Sequence, residues 1–363
     1  MENITKVLSS SEKAVYSLRS LYTEYGYEQY KMSKFEEYDL YVRNKDYLVS
    51  DAVITFTDTD GKLLALKPDV TLSIIKNGKD QPNTLKKMCY AENVYRPAKG
   101  TRSFKEIMQV GLECQGDIDD YVIYEVLLLA SKSLACISQD YALDISHLGI
   151  VSSVLDQANL PEIAEKQVVE ALGEKNIQAI DNICHDFDVD NSSTVILKTL
   201  ASVYGKGETV VNRLRELNLS EKTEKSLEEL EVILLQLKEA GLEEKVNVDF
   251  SVINNMNYYN GIVFKGFISG IPTGILSGGQ YDNLMQKMGR KSGAIGFAVY
   301  MDELEKISAK ENEYDVDVVI MYDETSKLKV VADTVKQVVD GGETVLALKT
   351  DADRIRYKRI IKI

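Results

Sequence analysis

The chain has 363 residues, 44% hydrophobic and 28% charged, which fits a globular protein of two or three domains and excludes a disordered one. Its 43 Lys and Arg against 57 Asp and Glu leave a net charge of −14, which argues against bulk binding to nucleic acid or an anionic membrane. No apolar run approaches the roughly 20 residues of a membrane span, and the opening MENITKVLSSSEK carries no apolar signal-peptide core.

In chain order, residues 9–25 read as an amphipathic helix, with N-cap candidates at Ser9 to Ser11 and apolar positions at Val15, Leu18, Leu21 and Tyr22; Gly26 ends it. Tyr27 to Glu36 read as a strand leading into a loop. Residues 52–57 form a strand, Asp58 to Gly61 a hairpin turn, and Lys62 to Leu66 the returning strand. A helix follows at 69–77. Lys87 to Tyr95 and Ile107 to Cys114 are strands around a polar loop, Arg96 to Glu106. A long helix at 119–138 precedes a strand from Tyr141 to Ile145.

The pattern then changes. Residues 151–245 are almost entirely helical, rich in Glu, Leu and Lys, without a clear strand. Strands return at Val246 to Asp249, Gly261 to Phe267 and Gly274 to Ser277, followed by a helix from Gln280 to Met288, a strand from Gly293 to Val299 and a helix at 301–309. A strand at 315–322, a helix at 324–340 and a strand at 343–349 close the chain. The expected fold is α+β: an antiparallel-sheet core from 1–150 and 246–310, a helical insertion at 151–245 and a short α/β unit at 311–363. Cys89, Cys114, Cys136 and Cys184 are dispersed without a CxxC, and His147 and His185 are the only histidines. Neither a disulfide scaffold nor a metal site is expected, and a reducing cytoplasm fits.

Five clusters stand out. Leu66-Lys67-Pro68-Asp69-Val70-Thr71 follows the hairpin; Asp69 suits a plain helix cap, or a carboxylate presented with the Thr71 hydroxyl into a cleft. After Val94-Tyr95-Arg96, residues Gln109, Gly111 and Glu113 alternate onto one strand face, where Gly111 would let a ligand approach; a solvent-facing stripe is the plainer reading. Asn257-Tyr258-Tyr259-Asn260-Gly261 would wall a pocket for a flat polar ring, or simply pack a hairpin. Ser277-Gly278-Gly279-Gln280-Tyr281-Asp282 places two glycines before a helix, a setting for close backbone approach or anion binding. Gly293 to Val299 is a strand whose glycines let another segment pack against it.

In their order and spacing these clusters resemble the catalytic core of class II aminoacyl-tRNA synthetases, most closely histidyl-tRNA synthetase, over residues 10 to 305. The family's FTD…LxLRPExT reads here as Phe56-Thr57-Asp58 through Thr71, its QxGxE as Gln109, Gly111 and Glu113, and its RGLDYYxGxVFE as residues 254–265. GGRYD is Gly278 to Asp282, and GFAxGLERL is GFAVYMDEL, residues 296–304. The departures fall on the ATP side. The third-motif arginine falls at Glu303, the arginine opening the histidine motif at Asn254, and the acid beside the second-motif arginine at Ala98, with Arg96 as that arginine; a second register would put Asn93 there. Adenylation needs positive charge on the phosphates.

The resemblance thus implies a pocket that keeps histidine recognition and loses ATP chemistry, so no catalytic residue and no cofactor is expected. Asp69 and Thr71 would hold the α-amino group, Gln109 the amino-acid backbone, and Glu113, Tyr258 and Tyr259 the imidazole, with Arg96 also in the histidine-binding set. This pattern is similar to the regulatory subunits of ATP phosphoribosyltransferase. That family implies a short-form catalytic subunit as partner, a homodimer within a hetero-octamer, and feedback inhibition by L-histidine; the charge and the tail, about half the expected anticodon-domain length, argue against tRNA. An active synthetase or other adenylating ligase, and a stand-alone histidine sensor, are the alternatives.

Overall fold

Helix α1 (Ser10–Glu24) starts at a capping box: the Ser9 hydroxyl accepts from the Glu12 amide at 3.2 Å, and the Glu12 carboxylate accepts from the Ser9 amide at 2.8 Å. Its buried stripe of Ala14, Leu18 and Tyr22 faces the core. The computed structural model describes residues 8–45, 48, 52–79, 84–98, 103–253, 256, 258–308, 314–349 and 354–363. Residues 1–304 and 305–363 form two compact units.

In the first unit the expected single strand from Tyr27 to Glu36 is instead two short ones. β1 (Glu28–Gln29) pairs in parallel with β5 (Leu85–Pro97), and β2 (Phe35–Glu37) joins a different sheet. Between them Lys31, Ser33 and Lys34 are exposed, as a polar crossover requires. The small sheet has the order β2-β4-β3, with β3 (Thr55–Thr57) and β4 (Leu63–Leu66) joined by the hairpin. Helix α2 (Tyr38–Arg43), absent from the sequence reading, follows β2, and α3 (Thr71–Asn77) follows β4.

Among the described residues the large sheet has nine strands. β5 and β6 (Phe104–Gly116) form a long antiparallel hairpin, and α4 (Asp120–Ile137) crosses to β7 (Tyr141–His147). Then come α5 (Leu148–Ala158), α6 (Glu162–Gly173), α7 (Ile177–Asp186), α8 (Asn191–Ser202), α9 (Gly207–Arg215) and α10 (Glu221–Glu239). The chain returns to the sheet as β9 (Val246–Asp249), β10 (Ile262–Ile268) and β11 (Leu276–Gln280), and passes through α11 (Asp282–Lys287) to β12 (Gly293–Tyr300) and α12 (Met301–Ser308). Contrary to expectation, the helical stretch contains a two-residue strand, β8 (Tyr204–Gly205), which pairs antiparallel with β9 and ends the sheet. Two residues are too few to show an alternating pattern in sequence. The order is β1-β5-β6-β12-β11-β10-β7-β9-β8. One core cluster runs from Leu112 and Val126 through Ile145 to Val168, Leu197 and Leu230, so the helices at 151–245 share their packing with the sheet.

In the second unit, β13 (Val316–Met321), α13 (Leu328–Asp340), β14 (Val345–Leu348) and β15 (Tyr357–Lys362) make a parallel sheet of order β14-β13-β15 around Val318, Ile320 and Val338. α13 begins later than expected because the Asp323 carboxylate accepts the Thr325 and Ser326 amides at 2.7 and 3.1 Å and fixes a turn. β15 was not read from the sequence: its Lys358, Arg359 and Lys362 are exposed charges that mask the strand pattern.

Candidate functional site

Strand period and register build the floor of a cavity. On β6, Gln109, Gly111 and Glu113 share one face; across β12 they meet Tyr300, Ala298 and Gly296; across β11, Ser277 faces Ala298 and Gly279 faces Gly296. Glu113 needs Gly296: a Cβ there would lie 1.9 Å from its Oε2. At Gly111 a Cβ would come within 2.6 Å of the Tyr90 hydroxyl, so the gap expected to admit a ligand is filled by Tyr90 from β5. For the other glycine pair the structure takes the close-approach alternative, at a different place in the fold. Gly278 and Gly279 lie within β11, and the helix starts only at Asp282; a Cβ on Gly278 would sit 2.3 Å from the Gly296 carbonyl oxygen, so these glycines serve close strand packing.

The walls come from three other segments. Asp69 Oδ1 accepts the Leu72 amide at 3.0 Å at the start of α3, the capping role, while Oδ2 meets Arg96 Nη2 at 3.4 Å. Arg96 Nε donates to the Pro68 carbonyl at 2.6 Å. The rings of Tyr258 and Tyr259 lie 4.5 Å apart, and Tyr258 and Tyr281 lie 5.8 Å apart. Behind them Asn260 Oδ1 accepts the Asp282 amide at 2.7 Å, and Asp282 Oδ1 accepts the Ala294 amide at 2.8 Å, tying the tyrosine segment to α11 and β12.

Glu113 is the chemical centre. It is 2% exposed; Thr71 Oγ1 donates to its Oε1 at 2.7 Å and the Tyr281 hydroxyl donates to its Oε2 at 2.6 Å. Burial pushes its carboxyl up to about 8, against the downward pull of those two hydrogen bonds. Burial also holds Tyr90, Tyr258, Tyr259 and Tyr281 well above the usual phenol range, so all four stay protonated. The cavity, partly open to solvent, has a volume of about 260 Å³.

Asp69, Thr71, Arg96, Gln109, Glu113, Tyr258 and Tyr259, the whole proposed ligand set, line this one cavity. The set omitted Tyr90, Ser277, Tyr281 and Tyr300, which line it too. Tyr281 and Tyr300 were visible in the Gly278 to Asp282 and 296–304 matches but had no role there; Tyr90 carried no motif signal. Of the lost synthetase positions, Ala98 lies just beyond β5, its amide donating to the Ser103 carbonyl at 2.8 Å. Glu303, in the first turn of α12, accepts from the Thr273 hydroxyl at 2.8 Å. Asn254, like Asn257, lies outside the described residues. His147 is buried, accepts the Gly149 amide at 3.1 Å and meets Glu229 at 3.2 Å, a structural role. Among the described residues, no group of three His, Cys, Asp or Glu is arranged to hold a metal, and no helix is long and apolar enough to cross a membrane.

The histidyl-tRNA synthetase family model matches residues 6–304. The ATP phosphoribosyltransferase regulatory subunit of Clostridium kluyveri is 30% identical over 297 residues, spanning 80% of this chain and 75% of that protein. A solved structure described as an ATP phosphoribosyltransferase regulatory subunit/histidyl-tRNA synthetase from Bacillus halodurans superposes with a TM-score of 0.75 at 23% identity, covering 97% of this chain and 93% of that one. The ATP phosphoribosyl transferase (HisG:HisZ) complex from Thermotoga maritima gives a TM-score of 0.62 at 19% identity, covering 79% and 96%. These two structures share the fold.

Proposed function

This chain belongs to the ATP phosphoribosyltransferase regulatory subunits, built on the histidyl-tRNA synthetase fold, and from that premise we propose that it binds L-histidine in the Glu113 cavity and conveys its occupancy to a catalytic subunit. Its role is regulatory, in histidine biosynthesis. The partner is a short-form ATP phosphoribosyltransferase catalytic subunit, engaged in the cytoplasm by a homodimer of this chain within a hetero-octamer. The core at 1–150 and 246–310 carries the site, and the chain itself neither adenylates nor transfers.

The observation that carries this reading is a buried carboxyl facing an aromatic-walled cavity with no lysine or arginine paired to it among the described residues. An imidazole supplies what Glu113 lacks: a flat ring for Tyr258 and Tyr259, and an N–H or a positive charge for the acid. At the other end, Asp69 and Gln109 suit an ammonium group, while Arg96, with donors beyond the two used on Pro68 and Asp69, suits a carboxylate. ATP chemistry lacks support. Arg96 is tied to Asp69, and Glu303 sets a negative group at the former clamp position, where transfer needs positive charge.

Feedback requires histidine to bind one state of the assembly better than another, since equal affinity shifts nothing. The test is calorimetric titration of the purified chain with L-histidine, and in parallel with ATP, followed by activity of the catalytic subunit with and without this chain. Histidine binding without ATP binding, and activation that histidine reverses, is the expected result. ATP binding would instead favour an adenylating ligase, and no binding of either would remove the pocket assignment.

A further inference from the structure

The pocket side of β12 reads Gly296, Ala298, Tyr300: two small residues, then a large one. Gly296 gives way to the Glu113 carboxyl, and Ala298 lies mid-row opposite Gly111, over which the Tyr90 hydroxyl sits. Tyr300 stands opposite Gln109, at the end of the row farthest from Glu113, and its hydroxyl meets Ser277 Oγ at 2.8 Å on the neighbouring strand. Its backbone is fixed as well, since the Tyr300 amide donates to the Ile275 carbonyl at 2.7 Å. A ring held at both its root and its tip is a wall. The family pattern GFAxGLERL carries glycine here, so the wall belongs to this chain and not to the pattern it resembles.

We propose that Tyr300, braced by Ser277, closes the cavity at the ligand's carboxylate end, so that the site accepts a free α-amino acid and rejects one whose carboxylate bears a large group. The inference rests on the reading that this cavity takes L-histidine with its ring toward Glu113. That orientation sends the carboxylate along the row toward paired Gln109 and Tyr300. The volume agrees: about 260 Å³ falls below the roughly 300–1,000 Å³ of sites that enclose larger ligands. A single amino acid fits this volume, and a nucleoside joined to its carboxylate would run against the Tyr300 ring. Tyr300 is therefore a specificity-determining residue, and sterics add to the charge reversal at Glu303 in excluding nucleotide chemistry.

The test titrates the full-length wild type, Tyr300→Ala and Tyr300→Phe with two probes, L-histidine and a non-hydrolysable histidyl-adenylate (the acyl sulfamate of adenosine). Wild type should bind histidine and bind the adenylate analogue more weakly by roughly tenfold or more, the scale on which a pocket wall discriminates. Tyr300→Ala should gain the analogue by a similar factor while still binding histidine. Tyr300→Phe, which keeps the ring and loses the Ser277 bond, should go on rejecting the analogue. Wild type binding the analogue as tightly as histidine would overturn the inference even if Tyr300→Ala failed to fold. So would a folded, histidine-binding Tyr300→Ala that gains nothing. Wild type that binds no histidine would instead fell the underlying reading of the pocket, and the inference with it.

Discussion

The large sheet buries an acid on each of its faces, and the two are treated in opposite ways. On the helix-covered face Glu125 of α4 is 3% exposed; Lys87 reaches its two oxygens at 2.7 and 2.9 Å, and the Tyr27 and Tyr121 hydroxyls donate at 3.1 and 3.3 Å. On the pocket face Glu113 is 2% exposed and receives two neutral hydroxyls, with no cation paired to it among the described residues. Lys87 sits opposite Cys114, one residue from Glu113 and so on the other face of β6. A structural carboxylate carries its counter-charge with it. Glu113 is left raised, with hydroxyls in place of a counter-charge, which is what the proposed ligand would use.

Breaking the built-in pair should have the largest effect. Lys87→Met leaves Glu125 buried without its cation and should cost about 3 kcal/mol, the lower end of the range for a broken buried pair because Lys87 is 21% exposed. Urea denaturation would show it as a lower midpoint at unchanged slope. A loss no greater than that of a surface pair would erase the contrast.

Glu113→Gln sharpens the contrast from the other side. Glu113 titrates near 4.5 when unfolded and about 8 when folded, so between those values the native state holds the extra proton. Stability contributed by this group therefore falls as pH rises from 4.5 to 8, and the loss is complete above 8. Wild type should lose a few kcal/mol more than Glu113→Gln between pH 5 and pH 9, read from thermal or urea midpoints at the two pH values. The same variant should weaken L-histidine by ~1–3 kcal/mol, and Tyr258→Ala should do so comparably, with the fold intact. Unchanged affinity in both would remove these residues from the site.

If histidine forms an imidazolium–carboxylate pair with Glu113, its proton balance should change sign with pH. Below about 6.5, the ordinary imidazole value, imidazolium meets a protonated Glu113 and one proton leaves. Above 8 a neutral imidazole meets an ionised Glu113 and one proton enters. Calorimetry in buffers of different ionisation enthalpy counts these protons, and a pH-independent count would refute the pairing. The smallest effect belongs to Tyr281→Phe. It removes one hydrogen bond to Glu113, about 1 kcal/mol, and should move the Glu113 titration further upward, because that bond pulls it down. A downward movement in the NMR titration of Glu113 would contradict the assignment.

Much of the site was legible because its signals are local. Asp69 and Thr71 follow a proline bend, Gln109 and Glu113 follow strand alternation, and Tyr258 and Tyr259 stand beside an Asn-Gly turn. The misreadings concern glycine. Gly111 looked like an opening toward a ligand and is filled by Tyr90; Gly278 and Gly279, read as lying just before a helix, lie within β11, where close backbone approach is what they allow. A glycine states that something comes close, and what comes close is decided by a strand elsewhere in the chain. β15 and β8 failed for a different reason: one hides its pattern under exposed charge, and the other is too short to have one.

The sequence by itself determined the α+β character, the cores of strands β5 and β6 and the residue types that line the cavity, because alternation, caps and turn residues act over a few neighbours; the strands run on to Pro97 and from Phe104, into what read as a loop at 96–106. Tertiary structure decided which of those residues meet. Register sets Gly296 against Glu113 across 183 positions of chain and Tyr300 against Gln109 across 191. Those pairings give the acid its room, raise its carboxyl by burial and wall the cavity. Burial and juxtaposition belong to chain segments that only the folded sheet brings side by side.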